Sequence, residues 1–406
     1  MPTLTEQILE EADRCVKCGY CLPVCPTYLK MRNEAESPRG RIALIQGLLE
    51  GTLRDSPVLE GHLRRCLTCR ACEPACPSGV RYGRIIDGAR ALHESHTYPI
   101  HRLFTAATLN LLTRPLPLRL GLRLLDLYRR SGLGRISRGL LPKGLRRAER
   151  LSPPRLEMPQ WRQRYPASAR RGRVALFTGC IGNLADQNAL RAAIAVLNAL
   201  GYDVEIPPDQ GCCGAMHRHT GRPEAANQRV ADNETAFDDD GLDAVIGVAT
   251  ACCAELREHA AFGDRVMEVT TFLSSLAWPS DLTLEPLAER VAVHEPCTRR
   301  LIDGHAPDSL YPLLQRIPQI DLQPLADNDI CCGAAGTYML SQPEMADALR
   351  DDKLAALRRA GPRILLTSNT GCALHLAAGI RAAGLEVEVM HPVELLDRQL
   401  HGYVKT

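Results

Sequence analysis

The chain has 406 residues, 45% of them apolar and 24% charged, with a formal net charge of +2. Those values exclude wholesale disorder, collagen-like repeats and coiled-coil rods, imply two or three domains, and single out no acidic partner such as nucleic acid. The outlier is 17 cysteines, too many for an average soluble chain and too sparse for a disulfide-stapled miniprotein, so thiolates that bind metal or do redox chemistry are expected.

Met1 to Arg14 reads as a polar amphipathic helix with no signal-peptide features, and nowhere is there an apolar run of about 18 residues. The expected compartment is therefore the reducing cytoplasm. Two cysteine runs follow. Cys15, Cys18, Cys21 and Cys25 precede Pro26, and Cys66, Cys69, Cys72 and Cys76 precede Pro77. Both have the C-x2-C-x2-C-x3-C-P spacing of two-cluster ferredoxins, in which the fourth cysteine of each run ligates the other cluster. That rule assigns Cys15, Cys18, Cys21 and Cys76 to one [4Fe-4S] cluster and Cys66, Cys69, Cys72 and Cys25 to a second. Two zinc ions would match the ligand count, but zinc sites typically use separated C-x2-C pairs.

Residues 101–150 hold twelve Arg or Lys against Asp126 and Glu149. Leucines interleave with the arginines, so short basic amphipathic helices broken at Pro115, Pro117 and Gly134 are expected, lying on anionic lipid or an acidic partner, or packing on the protein's own domains. Stretch 151–172 reads as a linker. Strands at Arg173–Phe177, Tyr202–Ile206 and Asp243–Val248 then alternate with helices at Asp186–Leu200 and Arg222–Phe237. The series recurs as Val291–His294, Asp308–Gln315, Gln319–Leu322, Pro343–Arg359 and Arg363–Thr367.

The cysteines measure this repeat: Cys180, Cys212 and Cys252 correspond to Cys297, Cys331 and Cys372 at offsets of 117, 119 and 120 residues. The expected fold is α+β and α/β, a mostly helical N-terminal domain carrying two [4Fe-4S] clusters and then a duplicated α/β module of βαβ type. The expected domains are 1–95 (two-cluster ferredoxin-like), 96–170 (basic helical connector), 171–285 and 286–406 (first and second Cys-Cys-Gly domains). Cys180, Cys212, Cys213 and Cys252 offer four thiolates in the first repeat; Cys297, Cys331, Cys332 and Cys372 offer four in the second. Either set suffices for a further iron-sulfur cluster, a zinc or redox thiols. Cys253 is left over. His217, His219, His294, His375 and His391 lie near cysteine turns, read as structural groups.

Two ferredoxin runs followed by paired Cys-Cys-Gly domains resemble the iron-sulfur subunits of glycolate oxidase and related hydroxyacid and glycerol-phosphate oxidoreductases, with distant kinship to heterodisulfide reductase subunits. The residues that carry the resemblance include Cys15 to Pro26, Gly211 to Ala215, His294 to Cys297, Cys331 to Tyr338 and Ser368 to Leu376. The wider family ends each repeat with C-x-x-C, where this chain has Glu255 and His375, which leaves four-thiolate ligation, His375 as a ligand or an empty repeat. The resemblance implies an electron-transfer subunit on the cytoplasmic face of the inner membrane. A flavoprotein partner would carry FAD and oxidise glycolate, and electrons would pass to a quinone or another acceptor. No G-x-G-x-x-G follows a strand and no P-loop is present, so no nucleotide converter is expected on this chain. A cysteine-rich reductase subunit of heterodisulfide reductase or anaerobic glycerol-3-phosphate dehydrogenase type, with chemistry at the Cys-Cys-Gly sites, is the alternative.

Overall fold

The structure is a computed structural model that describes residues 2–96, 99–131, 142–152, 159–302 and 309–401. The N-terminal part is helical: Leu4–Asp13, Pro26–Met31, Pro38–Leu49, Pro57–Arg64 and Tyr82–His96. Thr3 starts the first of these with a capping box, its hydroxyl accepting from the Glu6 amide while the Glu6 carboxylate accepts from Thr3. Proline occupies the first turn of the next three, where its missing N–H costs nothing. Ile8, Ile42, Ile45, Leu59, Leu63, Ile85 and Ile86 form one core together with Cys66 and Cys72. The cysteine loops are thereby seated on a packed floor.

Helices Pro99–Thr113 and Pro115–Arg130 follow as a hairpin, and Lys143–Leu151 completes the connecting segment. Pro115 and Pro117 do not break it. Both sit in the first turn of a single helix, where no intrahelical acceptor is lost. Gly134 lies outside the described residues.

The remainder contains two parallel sheets of the same order. In the first, β1 (Arg164–Tyr165), β2 (Gly172–Phe177), β3 (Tyr202–Glu205), β4 (Ala244–Gly247) and β5 (Val266–Glu268) lie in the order β1-β3-β2-β4-β5. All pairs are parallel except β1–β3. The expected linker therefore supplies an antiparallel edge strand. A two-stranded ribbon joins β6 (Thr283–Leu284) to the C-terminal β11 (Leu400–His401). Between them, β7 (Arg290–Val293), β8 (Asp321–Pro324), β9 (Ile364–Leu366) and β10 (Glu388–Met390) form the second sheet in the order β10-β9-β7-β8. Strand β8 starts two residues later than expected because Gln319 takes a left-handed φ of 64°, which no strand accommodates. Asp308 of the expected helix lies outside the described residues, and the helix observed is Leu310–Leu314.

One core unites the sheets. Val174, Leu176, Val204 and Ile246 of the first join Val291, Val293, Ile364 and Leu366 of the second, with helices Gln187–Ala199 and Pro392–Gln399 packed between them. Both sheets reverse their winding between the first strand of the repeat and the third: β2 beside β4, and β7 beside β9. Ligands of open α/β sheets bind outside the carboxyl ends of the strands at such a point.

Candidate iron-sulfur and thiolate sites

Each ferredoxin-type loop leaves a helix one residue before its first cysteine. Cys15 follows Leu4–Asp13 and Arg14, and Cys66 follows Pro57–Arg64 and Arg65. The loops share an unusual backbone: φ is positive at Lys17 (57°) and Gly19 (91°) in the first, and at the equivalent Thr68 (50°) and Arg70 (54°) in the second. Left-handed residues placed alternately turn successive amide N–H groups to one side, the concave arrangement that receives anions and iron-sulfur clusters. Thr68 N–H donates to Cys66 Sγ at 3.4 Å. An anionic, sulfur-rich cubane fits these loops.

Cys25, Cys66, Cys69 and Cys72 line one cavity with Thr27, Arg41 and Tyr82. Cys25 reaches it as the N-cap of Pro26–Met31, its run's last cysteine crossing to the other run's loop. Burial, and for Cys69 also the neighbouring Cys297, drives the Cys69 and Cys72 thiols well above their ordinary value. Thiolates there need a metal to hold them. Cys15, Cys21 and Cys76 are half-buried against the helical core and Cys18 is exposed, beside the exposed side chains of Val16 and Tyr20.

Beneath the cavity lies a buried charge network. Glu36 and Arg41 are 0% and 1% exposed. Glu36 accepts from Arg41 Nη2 at 2.7 Å and lies 2.6 Å from His62 Nδ1, and it also accepts from Arg65 Nε at 2.7 Å. Thr27 donates to the Glu36 carbonyl at 2.7 Å, with its oxygen 3.3 Å from Cys25 Sγ. Nothing in the sequence pattern marked Glu36, Arg41 or Tyr82; only the fold brings them to the cysteines.

The repeats place their cysteines at the two switch points. Cys180 follows β2, and Cys252 opens helix Thr250–His259 after β4; Cys297 and Cys372 stand correspondingly after β7 and β9. Gly214 (φ 100°) and Gly333 (φ 89°) turn the chain after each cysteine pair, where an added Cβ would fall 2.9 Å from the Ala226 carbonyl oxygen and 2.5 Å from that of Ala346. Only glycine fits. In the first repeat, sulfur contacts from Cys180 and Cys213 hold the Cys212 thiol well below its ordinary value, and the same contacts push Cys180 and Cys213 up. In the second, Cys297 Sγ and Cys331 Sγ are 4.0 Å apart. Ligand atoms of His294, Cys332 and Cys372, all buried, lie within 4.8 Å of one another.

His294 is thus a candidate ligand where the sequence suggested a structural role. The signal was its place at the end of β7, three residues before Cys297. Its counterpart in the first repeat, at the same offset, is Phe177. Burial, and then Lys353, push His294 down to about 3, so the ring is neutral and able to ligate. The residues replacing the family's last cysteine do not join the thiols: Glu255 accepts from Arg218 Nε at 2.6 Å, and His375 Nε2 donates to the Ala346 carbonyl at 3.0 Å. Cys253 packs under β4, its sulfur 2.5 Å from where a Cβ on Gly247 would stand. His217 sits 3.3 Å from Thr113 Oγ1, His219 pairs with Asp87 at 3.1 Å, and His391 caps the last helix.

The helical domain bridges both repeats. Arg90 donates to the carbonyls of Cys66 and His219, Arg222 pairs with Glu94, and Tyr338 donates to the Arg65 carbonyl at 3.0 Å. Leu67 and Cys69 pack with Cys297 and Cys331 in one apolar cluster. The inner cysteine loop therefore abuts the second repeat.

Comparison with known proteins agrees with this layout. Residues 11–80 match the 4Fe-4S dicluster domain family, and residues 174–257 and 291–377 each match the cysteine-rich domain family. A probable glycolate oxidase iron-sulfur subunit of Bacillus subtilis is 33% identical over 94% of this chain and 92% of its own length. The glycolate oxidase iron-sulfur subunit of Escherichia coli is 33% identical over 95% and 93%. Lactate utilization protein A of Bacillus cereus is 25% identical over 55% of this chain and 98% of its own.

Proposed function

The chain belongs to the family of glycolate oxidase iron-sulfur subunits, and from that premise we propose that it relays electrons from a flavoprotein partner, which oxidises glycolate to glyoxylate, towards a quinone or another acceptor. Iron-sulfur clusters carry one electron each, whereas hydroxyacid oxidation releases two, so a flavin on the partner must split the pair. The observation that carries the reading is the pair of cysteine loops with alternating left-handed residues, one exposed and one abutting the second repeat. Cys15, Cys18, Cys21 and Cys76 are proposed to hold the outer [4Fe-4S] cluster; Cys66, Cys69, Cys72 and Cys25 hold the inner one. The outer loop, with Val16 and Tyr20 exposed beside Cys18, suits contact with a redox partner. The Cys-Cys-Gly thiolates, joined by His294 in the second repeat, are candidates for a third centre, an iron-sulfur cluster or a zinc.

Among the described residues no helix is long and apolar enough to cross a membrane. Helix Pro115–Arg130 nevertheless turns Leu116, Leu120, Leu124 and Leu127 outward, with Arg119 and Arg123 alongside. A leucine stripe flanked by arginines suits the surface of an anionic bilayer, so peripheral attachment at the cytoplasmic face of the inner membrane is part of the proposal.

The test is anaerobic. Glycolate should reduce the clusters of this chain only when the flavoprotein is added; reduction by glycolate of the pure chain overturns the relay reading. A second reading, thiol chemistry at the repeats, draws on the lowered Cys212 thiol. Substituting Cys212→Ser should abolish turnover of the complex if it is right, and unchanged turnover excludes it.

A further inference from the structure

The inner cysteine loop faces an electrostatic problem that the outer one escapes. A [4Fe-4S] core with four thiolate ligands is anionic, and reduction adds another negative charge. Exposed Cys18 lets water solvate that charge in the outer loop, but Cys25, Cys66 and Cys72 are buried. In a low-dielectric pocket the added charge is unfavourable unless protein dipoles or cations meet it. Two side chains stand in position. Tyr82, 3% exposed, directs its hydroxyl at Cys66 Sγ across 3.7 Å. Arg41 lies within electrostatic range of Tyr82, Cys66 and Cys25.

Arg41 cannot turn away. Its Nε donates to the His62 carbonyl at 2.7 Å, Nη1 to Thr27 Oγ1 at 3.1 Å and to the Glu36 carbonyl at 2.7 Å, and Nη2 to Glu36 Oε2 at 2.7 Å. Glu36 is shared with Arg65 and His62, so one carboxylate faces two guanidinium groups and the network keeps a net positive charge beside the sulfurs.

We propose that the Tyr82 hydroxyl, backed by the Arg41 guanidinium, raises the reduction potential of the cluster held by Cys25, Cys66, Cys69 and Cys72. This rests on the ligand assignment above. Hydrogen bonds to cluster sulfur and nearby charge are both established levers on potential. The step is a one-electron reduction: the electron comes from the flavoprotein, or from dithionite in vitro, no bond breaks, and Tyr82 keeps its proton. Both residues are positioning residues, since neither touches iron.

The experiment is a mediated redox titration followed by EPR on the full chain, after iron and sulfide have been counted. Wild type should show one reduction wave for each of the two ferredoxin-type clusters. Tyr82→Phe, which removes one oxygen and leaves the packing, should lower one wave by about tenfold in its one-electron equilibrium constant, about 59 mV, and leave the other in place. Arg41→Gln should lower the same wave further, and Arg41→Lys should restore part of the loss. If Arg41→Gln does not fold, Tyr82→Phe decides alone. With iron content intact, a Tyr82→Phe wave that stays put, rises, or moves together with its neighbour overturns the proposal. Wild-type protein carrying iron for one cluster only overturns the ligand assignment instead.

Discussion

Replacing Glu36 with Gln removes the charge at the centre of the network under the inner cysteine loop and keeps its shape. Glu36 is fully buried and holds three partners, of which His62 and Arg65 are 15% and 27% exposed at the side chain and can turn to water, whereas Arg41 at 1% cannot. The variant therefore strands one buried guanidinium. Breaking a buried pair from one side costs about 3–5 kcal/mol, and since Gln still accepts a hydrogen bond the lower end, about 3 kcal/mol, is expected. That is a large part of a domain's stability of about 5–15 kcal/mol. Burial raises the Glu36 carboxyl, but hydrogen bonds from Arg65 and His62 and the charges of Arg41 and Arg65 outweigh it, so its net displacement is downward. A carboxyl lowered on folding stabilises the protein above its unfolded pKa, and that contribution is lost as pH falls through the folded value. Urea denaturation of anaerobic protein at neutral and acid pH should show Glu36→Gln destabilised at pH 7, with the gap to wild type holding down to about pH 4.5 and narrowing only below it. The inner-loop EPR signal should weaken first, because Arg41, left without its carboxylate, donates to Thr27 beside Cys25. A loss at pH 7 below about 1 kcal/mol, the range of exposed ion pairs, refutes the reasoning.

Other perturbations reach other parts of the molecule. Burial pushes His375 down to about 4 from its ordinary 6.5. The unfolded chain takes up the proton first as pH falls, so the stability due to neutral His375 is full above pH 6.5 and is lost towards pH 4, about 3 kcal/mol in all. His375→Leu should flatten that acid slope, and equal slopes in both proteins would contradict the assignment. Gly333→Ala forces a Cβ against the Ala346 carbonyl at positive φ and should cost at least about 2 kcal/mol; an unchanged Tm would count against the turn. Leu120→Glu with Leu124→Glu should abolish sedimentation with anionic vesicles at low salt while Tm stays constant. Retained binding would exclude the leucine stripe as the membrane contact.

Much of this architecture was legible in the residues because periodicity and cysteine spacing are local. Helix Gln187–Ala199 and strand β4 lie within a residue of their expected bounds, and the three cysteine offsets anticipated a duplicated α/β module, which the structure builds as two sheets whose four shared strands follow the same order. Two short edge strands were not legible. Val266–Glu268 and Glu388–Met390 have three residues each, too few for a period to show, and are strands because β4 and β9 offer them a free edge. The prolines of 115–117 misled because a breaker inside a helix is an ordinary residue in its first turn. The cysteine ligand candidates could be read from spacing, and His294 stood out only by its place beside Cys297, but Arg41, Glu36 and Tyr82 could not be read at all. Their relevance depends on distances set by chain segments far apart in sequence, such as Tyr82 Oη to Cys66 Sγ and His294 to Cys332 and Cys372.

This chain is expected to carry two reducible clusters and to pass electrons without oxidising substrate itself. Anaerobic purification with iron and sulfide counting, then EPR after adding glycolate with and without the flavoprotein, tests it most directly. About eight iron and eight sulfide per chain on the eight ferredoxin-type cysteines are expected, with reduced-cluster signals appearing only when the flavoprotein is present. Iron for fewer than two clusters, or signals produced by glycolate alone, would contradict it.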